Sequence, residues 1–170
     1  MRHTLTPVIA ASTRWLLAAY PAPTGALSQG LAEAQARQAA TLAAVLRYPT
    51  PLDVELLHLL APSGSHRLDW LVGSAPYPED ADWRTWVDET VVSWAACFLA
   101  DPSLAARAHQ ALTATEHHAE VGSPRRLIDP GDRDTEAAAL LRHPDLLKGV
   151  ADLHRPQLEE LLSADSAGLR

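Results

Sequence analysis

The chain has 170 residues, a net charge of −7, 47% hydrophobic residues and 21% charged residues. A chain of this size makes one ordinary domain that can bury roughly two-thirds of its unfolded surface, and its composition excludes wholesale disorder. The acidic balance argues against a protein that works mainly by gripping phosphates, and the single cysteine, Cys97, excludes an intrachain disulfide or a cysteine-based zinc site.

Alanine and leucine, 31 and 27 residues, outnumber 9 valines and 2 isoleucines. Alanine loses no side-chain entropy in a helix and leucine little, whereas the β-branched residues that favour strands are scarce. The expected fold is all-α: a single-domain bundle of six to eight helices over residues 1–170, with a sub-boundary at 73–82.

Proline punctuates the chain. Thr6 with Pro7, Thr50 with Pro51 and Asp101 with Pro102 each set a capping oxygen before a residue whose φ is already helical. Asp53 follows Thr50 at the capping-box spacing. The first helix is expected from Pro7 to Tyr20, ended by Pro21 and Pro23. The second runs from Gly25 to Tyr48, with Leu27, Leu31, Ala34, Leu42 and Val45 as its apolar stripe. Alanines 32, 36, 39, 40, 43 and 44 widen that stripe into a surface another helix can approach closely. Pro51 to Leu60 makes a short helix with Leu52, Leu56, Leu57 and Leu60 on one side.

After a turn at 61–65, residues 66–72 read as a short helix or an extended link, and 73–82 as a proline-rich acidic loop. A helix capped by Asp80 or Asp82 is expected to reach Ala100, with Trp83, Val87, Val91, Trp94 and Phe98 along one stripe. The next runs from Pro102 to Val121, stopped by Gly122. Residues 123–133 read as a polar loop, 134–163 as two or three short helices, and the stretch from Ser163 to Arg170 as a fraying end. The long alanine-rich helix and the tryptophan-lined one are expected at the centre.

The apolar stretch Val8 to Ala11 is broken by Arg14 before it can serve as a signal sequence. The uncharged run Trp15 to Ala32 contains two prolines and two glycines, so it cannot span a membrane. A soluble cytoplasmic protein with no membrane partner is expected.

Chemistry is sparse. No Gly-x-Ser-x-Gly or glycine-rich phosphate loop occurs, and Cys97 sits among apolar neighbours that leave a thiol inert. A helix-turn-helix over 51–73 would carry a second helix of barely two turns, and Asp53 and Glu55 would repel a phosphate backbone. No enzyme activity and no cofactor are expected.

The basic residues are arginines apart from Lys148. Gathered on one face, Arg14, Arg37, Arg47, Arg107, Arg125 and Arg126 would line a nucleic-acid path within a larger complex. Of the five tryptophans, Trp83 and Trp86 cannot both centre on one stripe, which leaves one as an interface anchor.

The expected function is therefore a non-catalytic accessory or scaffold subunit of a larger bacterial protein or ribonucleoprotein assembly. It would act through other protein subunits, a second copy of itself, or arginine–phosphate contacts. The small helical subunits of CRISPR effector complexes are similar in general build only, since no motif carries the likeness. The alternative is a metal- or ligand-binding helical protein whose His109, Glu116, His117 and Glu120 share one helix.

Overall fold

A computed structural model of the chain describes residues 5–48, 50–60, 87–115, 121–138 and 144–168. Among these residues every regular element is a helix and no strand occurs. In chain order the helices are α1 (Thr6–Ala19), α2 (Ala26–Arg47), α3 (Pro51–Leu60), α4 (Glu89–Ala100), α5 (Pro102–Thr113), α6 (Arg125–Ile128), α7 (Asp132–Ala137), α8 (Pro144–Ala151) and α9 (Arg155–Gly168). These nine exceed the expected six to eight because α6 and half of α7 form where a loop was expected. The expected turn, link, acidic loop and upstream caps within 61–86 lie outside the described residues, as do Trp83 and Trp86.

Two of the three expected caps form. Thr50 Oγ1 accepts from the Asp53 amide at 3.3 Å and donates to Asp53 Oδ2 at 2.6 Å. Asp101 Oδ1 takes the Ser103 and Leu104 amides at 3.0 and 3.2 Å. Burial pushes the Asp101 carboxyl upward, but the bonds from Ser103 and Leu104, with Arg155 nearby, outweigh it and hold its pKa below the usual value. At α1, Thr6 lies inside the helix, and Leu5 occupies the cap position without a side-chain bond. Pro7 suits the entry there, because the first turn needs no amide from it.

Three boundaries differ from expectation. The helix expected to begin at Asp80 or Asp82 begins after Asp88, whose carboxylate accepts from the Thr90 and Val91 amides at 2.9 and 3.4 Å and from the buried Tyr48 hydroxyl. Val87 therefore precedes α4 and packs with Ala11 and Val92 in a small cluster of its own.

Helix α5 stops at Thr113, well short of Val121. Thr113 and Thr115 donate their hydroxyls to the Gln110 and Leu112 carbonyls at 2.7 and 2.8 Å, taking acceptors a longer helix would use. At the far end α9 continues to Gly168 where fraying was expected.

The centre is as expected: α2 and α4 form the main packed pair, α1 covers α2, and α8 covers α4. Alanines 36, 39, 43 and 44 of α2 join one core with Val91, Trp94, Ala95, Ala96 and Phe98 of α4. Small side chains on both helices let the backbones approach closely. Leu27, expected in the stripe of α2, is 65% exposed instead, because only the later turns of α2 are enclosed. Cys97 is buried, and that burial pushes its thiol up to about 11.

The tight contact makes one position diagnostic. Ala43→Leu inserts three carbons where no space exists and is expected to cost about 1–3 kcal/mol. Half-buried Ala34→Leu, one helical face away, is expected to cost less than half as much. A larger loss at Ala34 in thermal melts would contradict the α2–α4 packing. No described helix is long and apolar enough to cross a membrane.

Candidate functional site

Helix α3 carries leucines at 52, 56, 57, 59 and 60, more than one core-facing stripe can hold. Among the side chains of α3 that the structure describes, Val54 is buried. Leu52, Leu56 and Leu59, spaced by four and three residues, form one ridge and are 69%, 48% and 79% exposed. Of Leu52, Leu56, Leu57 and Leu60, expected together on one side of this helix, Leu52 and Leu56 face outward, and the side chains of Leu57 and Leu60 lie outside those described. The surplus of leucines was the available signal.

The six arginines proposed for one face divide among sites. Arg14 of α1 and Arg37 of α2 line a single groove of about 630 Å³ between those helices. Arg37 is paired there with Glu33 across one helical turn at 2.5 Å. Arg47, at the other end of α2, holds its guanidinium 5.2 Å from the centre of the Tyr48 ring. Arg107 and Arg125 are exposed on α5 and α6, and Arg126 is tied to Asp134 at 2.5 Å. The groove thus gathers two of the six.

Buried Ser93 and Glu89 both meet the half-buried His154, and their bonding shows what they do. Ser93 Oγ donates to the Ala151 carbonyl at 3.1 Å and accepts from the His154 amide at 3.0 Å. Trp94 Nε1 donates to the His154 carbonyl at 3.1 Å, and Cys97 Sγ reaches the Ala151 carbonyl at 3.4 Å. The His154 ring places Nε2 3.4 Å from Glu89 Oε1. A buried hydroxyl engaged by backbone on both sides is no nucleophile. The cluster straps the turn between α8 and α9 onto α4 and satisfies polar groups that the α8 terminus leaves exposed.

Of the alternative ligand set, His109 lies on α5 with a buried Nδ1 that has no hydrogen-bond partner. Glu116, His117 and Glu120 lie outside the described residues. Among the described residues no cluster of three or more histidine, cysteine or acidic side chains could hold a metal. Comparison with family models, curated proteins and solved structures finds no match to this chain.

Proposed function

We propose that the chain is a non-catalytic helical accessory subunit, a single-domain bundle that docks onto a protein partner through the leucine ridge of α3. The observation that supports this reading is the outward stripe of Leu52, Leu56 and Leu59 on a helix whose Val54 is buried. A row of exposed leucines at helical spacing fits an apolar groove in a partner. Asp53 and Glu55 stand beside the ridge at helical spacing, and the whole chain carries −7. A basic rim around the partner's groove would therefore complement it and speed encounter.

Leu59→Glu tests the reading. The residue is exposed, so the substitution is expected to change stability by no more than about 0.5 kcal/mol. It is also expected to abolish a complex that the unaltered chain forms in pull-down and size-exclusion experiments. A chain that captures nothing the variant loses would overturn the proposal. A melting temperature lowered by many degrees would overturn it too, because the ridge would then belong to the chain's own interior.

A further inference from the structure

We infer that the groove between α1 and α2 is a binding site for a small amphiphilic monoanion: a carboxylate head carrying an apolar chain. The inference is independent of the α3 ridge and would survive its failure.

The two walls follow from helical periodicity. Thr6, Ile9, Ala10, Thr13 and Leu17 recur at intervals of three and four along α1, and Glu33, Arg37 and Thr41 recur every four residues along α2. Residues 20–25 join the two helices, which pack directly against each other. A short connection of this kind makes them an antiparallel hairpin with one row facing the other. The space between them, about 630 Å³ and open to solvent along one side, lies within the usual range for small-molecule sites.

The lining specifies the ligand's chemistry. Arg14 projects from an exposed position and makes no ion pair among the described residues, whereas Arg37 is held by Glu33. Two guanidinium groups and one carboxylate leave the groove one positive charge in excess, which suits a single negative charge.

Beside Arg14, Thr13 is 5% exposed, and its Oγ1 has no hydrogen-bond partner. Buried hydroxyls without partners are rare and call for an explanation. A carboxylate seated against Arg14 would take a charge-assisted bond from it, and a second from Thr13 once the side chains that close over Oγ1 part to admit it. Thr41 is not available in the same way, because it donates to the Arg37 carbonyl at 2.8 Å. Ile9, Ala10 and Leu17 supply the apolar surface along which a hydrocarbon chain would lie. Inorganic phosphate would leave that surface uncovered.

The probe is sodium octanoate, with octylammonium chloride and sodium phosphate as comparisons, titrated calorimetrically into the full chain. Octanoate is expected to bind saturably, and the other two are not. Arg14→Gln removes one charge-assisted contact and is expected to weaken octanoate binding about tenfold or more. Thr13→Val keeps the shape and removes only the hydroxyl, so the unliganded variant is expected to melt no lower than the parent while binding octanoate several-fold more weakly. A purely structural role for Thr13 would not separate those two readouts. The inference is overturned if octanoate does not bind, if both variants bind it as the parent does, or if octylammonium or phosphate binds equally well.

Discussion

Truncating Phe98 to alanine is expected to remove about 3–5 kcal/mol of stability. Phe98 is completely buried in the last turn of α4, within the core shared with α2. The loss combines the transfer of a ring back to water with the void it leaves, since neighbours in a packed core relax only in part. Domains hold a net stability of only about 5–15 kcal/mol, so one side chain would consume a large share of it. In a chain of this length each kcal/mol shifts melting by roughly 2–4 °C, so a fall of roughly 6–20 °C is expected. Phe98→Leu retains most of the volume and is expected to lose well under half as much. If urea denaturation gave Phe98→Ala less than 1 kcal/mol, α4 would not be a central helix.

Asp88→Ala is expected to cost about 2–4 kcal/mol, from two separable sources. The first is the cap of α4, worth about 1 kcal/mol, because Asp88 Oδ1 holds the Thr90 and Val91 amides. The second is the Tyr48 hydroxyl, which donates to Asp88 Oδ2 inside the protein and would be left stranded at about 1–3 kcal/mol. A double-mutant cycle separates the two sources. With Tyr48→Phe already present, Asp88→Ala has no hydroxyl to strand and is expected to cost only the cap, a coupling of at least 0.5 kcal/mol. Strictly additive losses would show that the bond contributes nothing.

Alkaline pH probes the same pair. Burial, and then the Asp88 carboxylate, push the Tyr48 phenol well above its ordinary value of 10.0. The unfolded chain ionises first, so the contribution is fully present below that value and declines as pH rises beyond it. Tyr48→Phe is expected to flatten that decline.

Local chemistry legible in the residues predicted local structure well. Thr50 with Asp53, and Asp101 with Pro102, mark helix starts through oxygens and amides only a few residues apart, and both starts were found where the sequence put them. The helical class, and the central roles of the alanine-rich helix and the one bearing Trp94, likewise rest on composition and periodicity. Prediction failed wherever a distant residue decided the outcome. Asp88 became the cap of α4 because Tyr48, forty residues away, adds a third donor to its carboxylate. Helix α6 sits in a stretch that reads as loop because Gln38 of α2 accepts the Leu127 amide at 3.1 Å.

The candidate sites divide along the same line. The sequence displayed five leucines on α3 and an arginine at 14 and at 37, yet it held no means of ranking them. Which leucines face outward depends on what α3 packs against, and that is a property of the assembled core. Arg14 and Arg37 share a groove because residues 20–25 fold α1 back along α2. Helix class, the caps at Thr50 and Asp101 and the alanine face of α2 were thus determined by the sequence alone, since backbone preference and period act over three or four residues. Exposure, pairing across the chain and the α1–α2 groove were decided by tertiary structure, because burial and contact exist only once distant helices meet.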